Sequence, residues 1–126
     1  MERFQKGLAE LKKYVSEQEA EKLVTADPLA NIAPDLRKMI VEFAYGEVYI
    51  REGLDEKKRA LVVISSVVTQ GAGPQTKTHI SRGLQIGLAP EEIVEALIQL
   101  VPYIGFPRVQ NGIVIAQQVF EERGLL

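Results

Sequence analysis

The chain has a single histidine, His79, set in the stretch Gly71-Ala72-Gly73-Pro74-Gln75-Thr76-Lys77-Thr78-His79-Ile80-Ser81-Arg82-Gly83. Imidazole is the side chain whose ordinary pKa lets it exchange protons near neutral pH, so acid–base chemistry centres on this residue. On a helix, Gln75, His79, Arg82 and Ile86 share one face through i, i+3 and i+4 spacing, which sets a guanidinium beside the imidazole. The stretch is polar and glycine-punctuated, and it lies between two strongly apolar segments, Leu61–Val68 and Ile93–Ile104. There is no cysteine. That excludes disulfides, thiol catalysis, cysteine-ligated metal and thiol redox chemistry.

The elements that must position His79 are helices. Gly73-Pro74 and Gly87 read as a helix start and stop, with His79 one turn in. Gly83 on that helix would let another helix approach closely. Before it, Asp55 is an N-cap for a helix running to Gln70. Within that helix, Leu61–Val68 has β-propensity, yet the segment has a cap and no internal breaker, which predicts a central helix buried on several sides. Glu2–Lys22 carries Phe4, Leu8, Leu11 and Val15 at helical spacing and reads as one helix with a narrow apolar stripe. Val24–Pro34 is a connector, and Asp35–Val48 a further α-helix. Leu88-Ala89-Pro90 restarts a helix with Glu91 and Glu92 in its first turn. Pro102 should kink or shorten it. Gly105-Phe106-Pro107 begins a last helix that ends near Gly124. The expected fold is all-α, a bundle of about six helices in a single domain over residues 1–126.

Composition narrows the class. The chain has 126 residues, 46% hydrophobic and 25% charged, with net charge −2. These values suit a globular protein and offer no electrostatic case for nucleic acid or an anionic membrane as partner. The first residues lack a signal peptide's apolar region, and no run of 18 apolar residues is present, so a cytoplasmic location is expected.

The order Glu42, Gly46, Arg51, Gly53-Leu54, Arg59, His79, Gly87-Leu88, Glu91-Glu92-Ile93, Glu95, Tyr103, Gly105, Pro107 resembles the carboxymuconolactone decarboxylase family. The resemblance spans roughly Asp27 to Phe120. It implies an orthogonal, alkylhydroperoxidase D-like helical subunit assembling as trimers or hexamers. The peroxidase branch of that fold uses a Cys-x-x-Cys pair, a histidine four residues on and an upstream glutamate. Here those positions hold Ala72, Gln75, His79 and Ala60. With no thiolate, peroxide reduction has no nucleophile. The decarboxylase branch matches through Glu42, Arg51, Arg59 and His79, although Tyr45 and Tyr49 stand where that branch usually carries tryptophans.

The activity so implied is loss of CO2 from a carboxylated lactone. The electrons left behind enter a conjugated carbonyl, so no metal or organic cofactor is expected. The protein must hold carboxylates, stabilise a dienolate and return a proton to carbon. Arginine suits the first task, being planar, bidentate and permanently charged. Arg51 is the first choice, Arg82 the second, and Arg59 a third through the resemblance. His79 would handle the proton, with Glu42 or Glu47 orienting it or acting as base. Glu47 lies five residues from Glu42, so one α-helical face does not present both. Tyr45, Tyr49 and Tyr103 read as packing residues. The partners implied are a small organic acid and further copies of the chain. A different class of function is a non-enzymatic, oligomeric small-molecule-binding or scaffold protein of the same fold.

Overall fold

Two glycines decide how the N-terminal helices meet. α1 (Arg3–Leu11) packs along a helical segment at Ile40–Val48. A Cβ on Gly7 would come within 2.0 Å of the Val41 carbonyl oxygen, and one on Gly46 would meet Gly7 Cα at 3.5 Å. The backbones therefore touch where side chains normally stand. The computed structural model describes residues 2–126, and among them every regular element is helical. The chain divides into two compact units, one ending at Leu54 and the other spanning Asp55–Leu126.

In the first unit the expected helix over Glu2–Lys22 is two helices, α1 and α2 (Glu17–Thr25). Ser16 Oγ accepts the Glu19 N–H at 3.1 Å and starts α2 afresh. The turn before it buries Tyr14 and Val15. Tyr14 stands edge-on to Tyr49, ring centroids 5.2 Å apart, and to Tyr45 at 6.0 Å. Tyr45 and Tyr49 stack at 4.2 Å. The connector then turns at Asp27, whose Oδ1 accepts the Leu29 N–H at 3.1 Å and faces Arg37 at 3.5 Å.

Asp35–Val48 departs from the expected α-helix. Only α3 (Leu36–Met39) is α-helical; Ile40–Val48 is a π-helix. Its wider ladder bonds each N–H to the carbonyl five residues back, as Tyr49 N–H does to Ala44 at 2.8 Å.

The second unit holds α4 (Glu56–Gln70), α5 (Gly73–Gln85), α6 (Pro90–Gln99), α7 (Val101–Ile104) and α8 (Phe106–Glu122). α4 is the helix that context predicted over β-propensity. Asp55 Oδ1 accepts the Lys58 N–H at 2.9 Å, and Gly71 ends the helix at φ +70°. α4 packs on α5, α6 and α8. Ile64, Ile80, Ile93 and Leu97 are wholly buried where these helices meet. Each contributes about 1.5–3 kcal/mol relative to exposure. Gly83 does allow the close approach its position suggested. A Cβ there would meet Leu88 at 2.9 Å and Ile64 at 3.2 Å. Pro102 shortens its helix, separating α6 from α7, and Glu92 Oε1 accepts the Ala89 N–H at 2.8 Å to hold the start of α6. Arg123 Nη2 donates to the Ser81 hydroxyl at 2.8 Å and its carbonyl at 3.0 Å, tying the end of α8 to α5.

Not every apolar face is covered. Val62 on α4 is 59% exposed, so the central helix is not buried on all sides, and Tyr103 is 79% exposed rather than packed.

Gly7→Ala is expected to destabilise the protein by about 2 kcal/mol or more, because backbone must move to admit the methyl. Gly53, with nothing within 4 Å of a Cβ, is the control. Its alanine variant should stay within about 0.5 kcal/mol of the parent in urea unfolding.

Candidate functional site

α5 carries the chemistry-bearing face. Ile80 and Gly83 are sealed against α4, and Thr76 is 2% exposed one turn earlier. His79 adjoins this sealed face and is therefore half-buried. Burial, and then the positive charge of Arg82 one turn on, push its pKa down from 6.5 to about 4. The ligand-free chain thus holds a neutral imidazole at neutral pH. Sequence alone suggested a group poised near neutrality; desolvation moves it. Among the described residues no hydrogen bond or ion pair ties the imidazole down. It is free to accept a proton or to turn towards a bound molecule.

The other candidates fall on three elements. Arg82 shares α5 with His79 and is partly buried. Arg59 lies in the first part of α4, beside buried Ala60. Glu42 and Glu47 both lie in the π-helix, and Arg51 follows it. A π-helix brings residues five apart nearer to one line than an α-helix does, which lessens the separation expected of Glu42 and Glu47. Their surroundings still differ. The Glu42 side chain is 14% exposed, with Lys38 Nζ at 3.8 Å. Glu47 is half exposed and accepts from Arg3 Nη2 at 2.6 Å. Glu47 therefore helps fasten α1 to the π-helix, besides any part in chemistry. Glu42, Glu47 and Arg51 belong to the first compact unit, and Arg59, His79 and Arg82 to the second.

The positions of the absent thiol chemistry are visible too. Ala72 precedes α5 and Gln75 is exposed in its first turn, while Ala60 is 6% exposed and packs towards Gly83. Among the described residues no cluster of three or more histidine, aspartate or glutamate side chains could hold a metal ion. No helix there is long and apolar enough to cross a membrane.

Sequence reading passed over a groove of about 690 Å³ where α4, α5 and α8 meet, bordered by Thr76, Arg108 and Asn111. The signal available was an arginine in the first turn of a helix, Phe106-Pro107-Arg108, where the helix dipole disfavours a cation.

Comparison with known proteins agrees with this helical architecture. The model of the carboxymuconolactone decarboxylase family matches residues 34–118. An uncharacterized 15.0 kDa protein from the nqo9-nqo10 intergenic region of Paracoccus denitrificans is 32% identical over 96 residues, 75% of this chain and 72% of that protein. A 4-carboxymuconolactone decarboxylase of Acinetobacter baylyi is 25% identical over 124 residues, 98% of this chain and 91% of its own. A nitrosuccinic acid decarboxylase of Metarhizium robertsii is 29% identical over 97 residues, covering 75% and 68%.

A depressed histidine pKa has a thermodynamic signature. The unfolded chain takes up the proton near pH 6.5 and the folded chain near pH 4, so stability is lost as pH falls between those values. The loss should reach about 3 kcal/mol, flattening below pH 4. Urea unfolding of the parent and of His79→Asn across this range isolates it. A difference curve that is flat with pH would show that His79 is not desolvated.

Proposed function

The chain belongs to the carboxymuconolactone decarboxylase family, and from that premise we propose that it is a cofactor-independent carboxy-lyase acting on a carboxylated lactone or similar small organic acid. The observation that carries this is the pairing on α5 of a half-buried neutral imidazole with a guanidinium one turn away. Two relatives bear decarboxylase names with unlike acids, which supports the reaction type ahead of any one substrate.

The chemistry follows from the electrostatics. Burial, and after it the charge of Arg82, lowers the His79 pKa. A substrate carboxylate drawn to Arg82 would offset that charge and bring an anion near the imidazole, which favours the protonated form of His79 against the burial that opposes it. The C–CO2⁻ bond then breaks, its electron pair passing into the conjugated carbonyl as a dienolate. The imidazolium gives its proton to carbon and returns to the neutral form. The net change is R–CO2⁻ plus H⁺ to R–H plus CO2. No redox partner is needed, since the substrate's own carbonyl is the electron sink. Arg51 and Arg59 are proposed as further carboxylate holders. Glu42 and Glu47 are proposed as orienting or basic groups, and of the two Glu42 has the more covered side chain.

The same proposal includes a cytoplasmic homo-oligomer, a trimer or hexamer. Phe43 in the first unit, and Val62, Tyr103 and Phe106 in the second, are each more than half exposed, which supports apolar side chains covered by another copy.

Release of CO2 from 4-carboxymuconolactone and from nitrosuccinate tests the reading, with one proton taken up per turnover. His79→Ala should lower kcat by about 10² or more, the usual weight of a positioned acid–base group, while leaving the oligomer intact by size-exclusion chromatography. Arg82→Gln should raise KM about ten-fold. Undiminished turnover by the alanine variant removes His79 from the mechanism. No CO2 from either acid with the parent protein would favour the non-enzymatic binding or scaffold role.

A further inference from the structure

The end of α8 holds α5 on the side turned away from His79. Arg123 Nη2 donates to the Ser81 hydroxyl at 2.8 Å and to the Ser81 carbonyl at 3.0 Å. One turn earlier on α5, Lys77 Nζ pairs with Glu122 at 3.0 Å. Ser81 stands two residues after His79 and Lys77 two before it, so each is turned about 200° from the imidazole round the helix. The core face lies between: Ile80 is wholly buried, and Gly83 is sealed against Ile64 and Leu88. One flank of α5 is therefore tied to α8, its middle is seated on α4, and His79 stands on the other flank.

Arg123 reaches Ser81 from an anchored backbone. Its N–H bonds to the Val119 carbonyl at 3.1 Å, and the chain closes behind it with Gly124 at φ +69° and the Leu125 N–H on the Phe120 carbonyl at 2.8 Å. Val119 and Phe120 are buried in the same core as Ile80. Both bonds from Nη2 are charge-assisted, and one ends on main chain, so they restrain the helix and not a side chain alone. The Lys77–Glu122 pair joins two side chains that are each more than half exposed, and it restrains less. A turn of α5 in either sense moves Ser81 off Arg123 and carries His79 deeper into the core or out into water. Gly83 limits that turn from the core side, and Arg123 limits it from the tied flank. Arg123 does not reach the imidazole by its charge: burial comes first, and the charge that acts is that of Arg82.

We propose that Arg123 is a positioning residue for His79: by holding Ser81 on the far flank of α5 it fixes the rotation of that helix, and with it the burial and setting of the imidazole. The effect on turnover rests on the carboxy-lyase reading. The effect on the imidazole does not.

The test follows the C2–H resonance of His79 with pH in the full chain, where a single histidine makes the assignment unambiguous. The parent should titrate near pH 4. Arg123→Met should titrate higher, towards 6.5, as the loosened helix lets water reach the ring. Arg123→Lys keeps a donor nitrogen and should titrate as the parent does. Glu121→Gln, an exposed change in the last turn of α8, should leave the titration in place. Ser81→Ala loses one of the two acceptors and should move it the same way as Arg123→Met but less, which decides the question if Arg123→Met fails to fold. On whichever acid the parent decarboxylates, Arg123→Met should lower kcat about ten-fold and change KM by less than about two-fold, because proton transfer needs a closely placed imidazole while the long Arg82 side chain can follow the substrate. The proposal is overturned by an unchanged His79 titration in Arg123→Met, by an equal displacement in Glu121→Gln, or by a lysine variant that titrates like the methionine one. An undiminished kcat in Arg123→Met overturns the link to turnover. If the parent releases CO2 from neither acid, the carboxy-lyase reading falls and the titrations alone decide the role of Arg123.

Discussion

The close seating of α5 on α4 at Gly83 is the contact on which the C-terminal unit depends. Leu88 and Ile64 occupy the space a side chain would need there, so α5 can rotate little about its axis. That fixes which residues lie inward. Ile80 is wholly buried, Thr76 nearly so, and His79 is left at the margin between core and solvent. The low pKa of His79 is a consequence of that rotation. Turned outward by one position, the imidazole would be hydrated and would titrate near 6.5, its ordinary value. A packing contact between two helices thus sets the proton affinity of a side chain one turn away.

The same packing bears on the loss of thiol chemistry. Sequence shows Ala72 and Gln75 where a peroxidase would have cysteines, and Ala60 where it would have glutamate. The first two positions lie at the accessible start of α5, but Ala60 is 6% exposed and directed at the Gly83 contact. A carboxylate placed there would be desolvated and would compete with Leu88 and Ile64 for space. The core of this chain is built around a small residue at that position, so its departure from the peroxidase pattern is structural as well as catalytic.

Most of the helical plan was legible because its punctuation is chemical. Asp55 as a cap, Gly73-Pro74 as a start, Pro90 with acids behind it, and Pro102 as a break each act through one residue and its neighbours. Context correctly outweighed β-propensity over Leu61–Val68. The features that escaped depend on distant partners. The break before Ser16 exists because Tyr14 meets Tyr45 and Tyr49 across more than thirty residues of chain. The π-helix at Ile40–Val48 runs along α1, where Gly7 sets the backbone contact. His79 was singled out by composition alone, but its charge state was not, since desolvation is a property of the folded neighbourhood. Arg108 carried a readable signal in its conflict with the helix dipole, which matters only once α5 and α8 are seen to border one groove.

The glutamates show why residue type and spacing are a weaker guide than surroundings. Glu42 and Glu47 look equivalent in sequence, each an acid on an amphipathic helix. In the fold, Glu47 is bound to Arg3 at the surface, an ion pair of the kind that contributes at most about 1 kcal/mol, with half of its side chain open to water. Glu42 has most of its side chain covered, with one lysine at 3.8 Å. A carboxylate with less water around it responds more strongly to any charge that arrives. The π-helix produces the contrast by displacing the ladder one residue from the α-helical register, which brings the two acids towards one side while leaving them in different dielectric surroundings. A similar asymmetry separates two of the three arginines that follow the histidine. Arg82 sits beside an imidazole it already perturbs, and Arg108 faces an open groove.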